Sequence, residues 1–363
     1  MVDLHSEDPH PPWPPAVLST HLPECEAVSA AFATVGDMKP LPMLEPASLA
    51  RSAIDRNDMA RGADGDLSEL WQRPRVHGIL AHRGYLLVAS GGLLPVAEQQ
   101  VPHDSTQIYL GVDDTDTHWI GIDLSDDGRA AVDASLSAQR DRDAVDFLDA
   151  PSSGIQAAEP TWLSLREIAE ALSDRDVGLA CELVAVGNWH RTHTHSPRNG
   201  APTVPMRGGW VRRDPEAGSE HFPRTDPAVI MAVVHTDDDG TERILLGSNA
   251  AWPADRYSVL AGFVEPGETL ENAVLREVWE EARVPCCNPR YLGSQPWPFP
   301  ASLMLGFSVE AETLDFQADM VEISMLRWFT REELREQSAS GAISTPGSVS
   351  IAGQLISAWL HNA

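Results

Sequence analysis

The sequence predicts an α/β protein: a smaller α+β first unit followed by a compact second α/β unit. Three observations carry this reading. Short apolar runs bounded by Gly and Asp recur between residues 78 and 123. Two stretches with helical spacing follow between 162 and 189. From residue 227 onward, strand-like runs flank a helical segment that contains no breaker. At roughly 100–200 residues per domain, the 363 residues allow two or three domains with a substantial core.

In chain order, residues 1–30 are rich in Pro, His and Asp (His10-Pro-Pro-Trp-Pro-Pro15) and read as a flexible extension. Residues 31–187 form the first unit. Gly78–Ala89, Thr106–Gly111 and Thr117–Asp123 are strand candidates, while Trp162–Leu172 and Asp176–Trp189 have helical spacing. Residues 188–226 are a linker rich in His, Pro, Gly and Arg, without a clear period. Residues 227–363 form the second unit. Ala228–His235 is a strand ended by the turn Thr236-Asp-Asp-Asp-Gly240, and Arg243–Gly247 is its hairpin partner. Ser258–Gly262 is a short strand. A strong helix follows, then strands near 303–310 and 324–329, and a last helix from 348 to 360.

Charge and cysteine content narrow the function classes. The chain carries 54 acidic and 26 basic residues, a formal net charge of −28. That charge opposes general binding to DNA, RNA or anionic lipid, yet allows one phosphate-bearing ligand in a local pocket. Lys39 is the only lysine, which reads as codon bias and gives the arginines no special weight. Cys25, Cys181, Cys286 and Cys287 form no CxxC pair and make no disulfide framework. No basic, apolar leader opens the sequence and no run of ~18 apolar residues occurs, so a cytoplasmic protein is expected.

The chemistry concentrates in Gly262-Phe-Val-Glu-Pro-Gly-Glu268-Thr-Leu-Glu-Asn-Ala-Val-Leu-Arg276-Glu277-Val-Trp-Glu280-Glu281-Ala-Arg-Val284. Pro266 and Gly267 impose a turn, Thr269 is a plausible cap, and Leu270 to Ala282 can run as one helix. At about 100° per residue, Glu277, Glu280 and Glu281 fall within roughly a third of the circumference, with Leu275, Val278, Trp279 and Ala282 opposite. Clustered carboxylates repel, and a hard divalent cation such as Mg²⁺ or Mn²⁺ relieves that repulsion. Taken alone, Glu280 and Glu281 fit an ordinary solvated acidic face better than a metal site.

The whole string resembles the Nudix box. Gly262, Glu268, Arg276, Glu277, Val278, Glu280, Glu281 and Val284 match, and Arg283 stands where the pattern has Gly. Eleven residues past Arg283 comes Ser294-Gln-Pro-Trp-Pro-Phe-Pro-Ala-Ser302, which is similar to the signature of NudC-like NADH pyrophosphatases. The resemblance implies a Nudix α/β/α sandwich in the second unit. It implies Glu277, Glu280 and Glu281 as catalytic residues, which bind metal together with Glu322 and the Ala261 carbonyl. Glu268 and Arg276 are implied as a structural salt bridge. Phe222, Gln295, Pro296, Trp297, Pro298, Phe299, Pro300, Ala301, Ser302 and Ala352 are implied as substrate-contacting. Rigid aromatics at Trp297 and Phe299 would suit stacking on a nucleobase or nicotinamide ring.

Many relatives carry a four-cysteine zinc ribbon before this domain. Here the first pair of positions falls at Ser196 and Asn199 and the second near Arg213 to Glu216, and no cysteine remains. His190, His193 and His195 lack a second thiolate cluster to complete a site, so zinc is not expected. Gly200-Ala-Pro-Thr203 and Gly209-Trp210 make the mycobacterial and actinobacterial branch the nearest resemblance.

The expected activity is Mg²⁺- or Mn²⁺-dependent hydrolysis of NADH or NAD⁺ to a nicotinamide mononucleotide and AMP by a homodimer that binds neither membrane nor DNA. Removal of an NAD cap from RNA 5′ ends is an alternative by the same chemistry. A non-catalytic sensor of NAD or ADP-ribose is a third reading, which the full set of box glutamates opposes.

Overall fold

The computed structural model describes residues 40–62, 67–143 and 159–362. The extension expected at 1–30 lies outside them. The first unit holds β1 (Val76–His82), β2 (Tyr85–Ala89), β3 (Gly92–Leu93), β4 (Thr106–Val112), β5 (His118–Asp123) and β6 (Thr161–Ser164). They form one sheet in the order β3-β2-β1-β5-β4, with β6 also paired to β2; β1 and β5 run parallel. The long helix Asp174–Thr192 packs its Val177, Leu179, Leu183 and Val186 against one face. Leu67, Leu70 and Val132 cover the other.

The helix expected over 162–172 is a correction. Thr161–Ser164 is strand β6, pairing residue for residue with Val88 to Tyr85. Only then does a single helical turn, Leu165–Ile168, begin. Ser164 sets the boundary: its N–H and Oγ both donate to Glu167 Oε2, at 2.9 and 2.7 Å, closing a capping box.

A three-stranded sheet, β7 (Val204–Met206), β8 (Val211–Arg213) and β9 (Glu220–His221), occupies the linker. The second unit follows with β10 (Asp226–Thr236), β11 (Glu242–Asn249), β12 (Leu260–Phe263), β13 (Cys286–Trp297), β14 (Ser302–Ala311) and β15 (Ile323–Thr330). The sheet order is β13-β14-β10-β11-β15, with β12 also on β10, and only β10 and β14 run parallel. Ala228 to Val234 are all buried, as a continuous apolar run in a strand covered on both faces requires.

Helix Leu270–Ala282 covers one face through Ala273, Val274, Val278 and Ala282. Helices Arg331–Ser340 and Ile351–His361 cover the other, giving an α/β/α sandwich. Leu41 also fills this second face, and Leu44 N–H donates to Leu292 O at 2.8 Å. Residues 41–44, grouped with the first unit by sequence, therefore pack on the second, while Leu49 already lies in the first unit's core.

The sequence reading missed the helix Asp126–Asp143 and the three linker strands, and in the second unit it missed two elements. Helix Arg331–Ser340 is one. The other is β13, whose end takes in the first half of the proline-rich signature: Gln295 pairs with Met304 and Trp297 with Ser302. β13 is an edge strand, which is where proline is tolerated in a sheet.

Candidate active site

Turn and helix Gly262–Ala282 position the carboxylates. Thr269 caps the helix, its Oγ accepting from Asn272 N–H at 3.3 Å. The helix ends at Arg283, which takes the left-handed conformation (φ +57°) usually left to Gly.

Arg276 is the hub. Its Nε and Nη2 donate to Glu268 Oε1 and Oε2 at 2.8 and 3.0 Å, and Nη2 also donates to Phe263 O at 2.8 Å. Nη1 donates to Glu277 Oε1 at 2.9 Å and Glu280 Oε2 at 3.1 Å. Burial alone would raise the Glu268 carboxyl, but Arg276 holds it below its ordinary value. The bidentate pair fixes the loop to the helix.

The three box glutamates differ in exposure. The Glu280 side chain is half exposed. Glu281 is buried against the sheet at 6% exposure and accepts a hydrogen bond from the Ala261 backbone, while its Oε2 has no partner. Burial, then Glu277, Glu322 and Asp319, push its carboxyl up to about 9. Burial likewise raises Glu277. Glu277 lies so close to β12 that a Cβ on Gly262 would stand 1.9 Å from its carboxyl carbon, which explains the glycine that opens the motif. Glu322 is exposed and sits at the start of β15, where its charge reaches both Glu277 and Glu281.

This donor set suits a hard divalent cation. Its side-chain donors are carboxylate oxygens, a strand backbone adjoins them, and one buried carboxylate oxygen is unpaired. Among the described residues no group of His, Cys, Asp or Glu is already gathered into a metal cage. Arg276 instead engages Glu277 and Glu280.

The candidate substrate residues have partners of their own in the fold. Gln295 is fully buried; its Nε2 donates to Val349 O at 2.7 Å and its Oε1 accepts from Ile351 N–H at 2.8 Å. Both ends of the amide are spent inside the protein. Trp297 and Phe299 meet edge to face at 5.3 Å and pack on the first unit's core. Arg166 lies over both, 5.2 and 4.1 Å from the ring centres. Both rings remain partly exposed, with one side packed on the first unit.

Asn188 Nδ2 donates to Pro298 O and Pro300 O at 2.9 and 3.1 Å, and Ala301 O accepts from Asp226 N–H at 2.8 Å. Pro296 lines a cavity of about 360 Å³ with Leu44, Gly293, Leu303 and Ile351. Ala352 is buried in the second unit's core. Phe222 is 61% exposed and borders a separate cavity of about 340 Å³ with Trp189, His193, His195 and His221.

Two residues beside the carboxylates were not singled out from the sequence. Phe263 exposes its ring next to the loop that Arg276 anchors. Asp319 collects the backbone amides around Glu322. The Asp-Met-Val-Glu string could have flagged Asp319, since Asp favours such turns.

The NUDIX domain family matches residues 226–345. A Mycobacterium bovis protein named NAD-capped RNA hydrolase NudC is 44% identical over 206 residues, 54% of this chain and 64% of that relative. The human NAD-capped RNA hydrolase NUDT12 is 39% identical over 201 residues, 52% of this chain and 43% of its own length. The chain thus spans 64% or less of each of these two relatives. A solved NUDIX hydrolase from Nitrosomonas europaea is similar at 21% identity and a TM-score of 0.33, over 39% of this chain and 79% of that one.

Proposed function

Because residues 226–345 are a Nudix domain in a chain of NudC-like sequence, we propose that this protein hydrolyses the diphosphate of NADH or NAD⁺ to NMNH or NMN and AMP. The observation that carries the proposal is Glu281. It is a buried carboxylate with an unpaired oxygen, faced by Glu277 and Glu322 and held by the strand that opens the box.

Nudix hydrolases generally need a divalent metal; for this chain the proposed ion is Mg²⁺ or Mn²⁺, held by Glu277, Glu280, Glu281, Glu322 and the Ala261 carbonyl. Such an ion polarises a phosphoryl oxygen and lowers the pKa of water. The protein's own contribution is position. The Glu268–Arg276 pair fixes the loop, Gly262 leaves room for the Glu277 carboxylate, and the Ala261 amide orients Glu281. A glutamate of this set that is not fully engaged can accept the proton of the attacking water.

Incubating the purified protein with NADH and Mg²⁺ is expected to release AMP. Glu281→Gln is expected to cut the rate at least ~100-fold while the fold persists. A folded protein that releases no AMP overturns the reading.

Both relatives are named as NAD-capped RNA hydrolases, which favours a second substrate, the NAD cap of an RNA 5′ end. The same chemistry serves both, and comparing rates on free NAD⁺ and NAD-capped RNA separates them. We further propose a cytoplasmic homodimer that uses no zinc; light scattering of the purified chain and its metal content test the last two points. Among the described residues, no helix is long and apolar enough to cross a membrane.

A further inference from the structure

We infer that Asp319 is a positioning residue that presents Glu322 to the box carboxylates, an inference that rests on the metal-site reading above. Glu322 stands at the end of the connection between β14 and β15, residues 312–322, and has no regular element to hold it. Asp319 supplies the missing frame. Its Oδ1 accepts from Val321 N–H at 3.1 Å and Ile323 N–H at 2.8 Å, and its Oδ2 accepts from Glu322 N–H at 3.2 Å. One carboxylate therefore gathers the amides before, at and after Glu322.

The same residue ties this turn to the box helix. Asp319 N–H donates to Glu281 O at 3.3 Å, and two residues earlier Gln317 N–H donates to Ala282 O at 2.8 Å. The turn is closed by Met320 N–H donating to Ile323 O at 3.1 Å, with Met320 in the left-handed region at φ +62°. Ala250 N–H donates to Glu322 O at 2.9 Å and steadies the far side. Glu322 and Glu281 are thus registered to each other through a single residue, its carboxylate on the Glu322 turn and its backbone N–H on Glu281 O.

The chemistry calls for Asp at this position. Three amide donors need two acceptor oxygens on a short arm. Asn offers one acceptor and turns an NH₂ toward a donor. Ala offers nothing.

The test combines direct Mn²⁺ titration, followed by the electron paramagnetic resonance of free Mn²⁺, with NADH kinetics. Asp319→Ala is expected to weaken Mn²⁺ binding about tenfold and to lower kcat about tenfold or more, with KM for NADH within about twofold. Asp319→Asn, which keeps part of the network, is expected to fall between Asp319→Ala and the unaltered protein, and it serves if the Ala variant does not fold.

In a Glu322→Gln background, Asp319→Ala is expected to add little, because its effect passes through Glu322. A loose loop without that role would give additive losses. Additive effects, or unchanged Mn²⁺ affinity in a folded Asp319→Ala, overturn the inference. An unaltered protein that neither binds Mn²⁺ nor cleaves NADH overturns the functional reading itself. Saturable Mn²⁺ binding without NADH cleavage leaves the Asp319 test intact and removes only the substrate.

Discussion

Gly262 shows how one missing side chain makes room for another. A Cβ there would fall within 2.1 Å of both Glu277 carboxylate oxygens, and these atoms are the end of a flexible side chain. The fold can therefore absorb Gly262→Ala by swinging Glu277 aside, whereas the proposed metal site cannot. Gly262→Ala is expected to leave Tm within a few degrees of the unaltered protein and to reduce NADH hydrolysis at least ~100-fold. A melting curve beside a rate assay checks both.

Glu182 is a buried carboxylate that the proposed chemistry does not use. It lies on helix Asp174–Thr192 at 5% exposure, its Oε1 has no hydrogen bond, and Arg56 Nη1 is 3.9 Å away. Burial pushes its carboxyl up to about 7, against an ordinary value of 4.5, with Arg56 and Arg61 pulling back. The folded state therefore binds more protons than the unfolded state between these values. Stability falls as pH rises through that window and stays lower above it. Glu182→Gln is expected to raise unfolding stability at pH 8 by roughly 1–3 kcal/mol and to change it little below pH 4.5. Urea unfolding at the two pH values measures this.

At the level of elements, the linker shows how hydrogen bonds can join two turns. Ser196 and Asn199 lie in one tight turn, closed by Gly200 N–H donating to Ser196 O at 2.9 Å. A second turn is closed by Gly218 N–H on Asp214 O at 2.9 Å, and Asp214 Oδ1 accepts from Glu216 and Ala217 N–H at 2.9 and 3.1 Å. Asn199 Nδ2 then donates to Asp214 Oδ2 at 2.7 Å and joins the two turns. Asn199 and the backbone amides hold the Asp214 carboxyl below its ordinary value. Asp214→Ala is expected to lower Tm by several degrees, and more than Asn199→Ala, which keeps Asp214 on its own turn. Calorimetry ranks the pair; an Asn199→Ala loss equal to or larger than that of Asp214→Ala would count against this clamp.

Elements also show what the sequence could disclose. The box helix was legible from Leu270 to Ala282 because cap, period and breaker all act within a few residues. The Glu268–Arg276 pair likewise spans only eight positions. The surroundings of Trp297 and Phe299 were not legible, since Arg166 reaches them from a distant helical turn of the other unit. Glu281's inward aim depends on how tightly the helix seats on β12, and Asp319 works only once residues 312–322 fold back on the helix end. Local chemistry was readable, and contacts made by tertiary packing were not.

For the whole molecule, the formal charge of −28 acts on the encounter with the proposed dinucleotide substrate. A dinucleotide diphosphate approaches a surface of its own sign, and salt screens that repulsion over a Debye length of ≈10 Å at 0.1 M. The kcat/KM for NADH is therefore expected to rise with ionic strength at fixed free Mg²⁺, and to rise more steeply for NAD-capped RNA, which carries more phosphates. Initial rates across a KCl series measure both slopes. A falling slope for RNA would reveal a local basic track that outweighs the global field.

The placement of Leu41 has a wider consequence. The described chain begins by docking on the second unit's sheet, crosses to build the first unit, and returns to complete the sandwich it started from. The second unit is thus discontinuous in the sequence. A fragment cut at residue 227 would lack the piece that plugs its own core and would bare a greasy slot around Leu292. A fragment that begins at residue 227 is therefore expected to unfold at lower urea than the same unit in the whole chain.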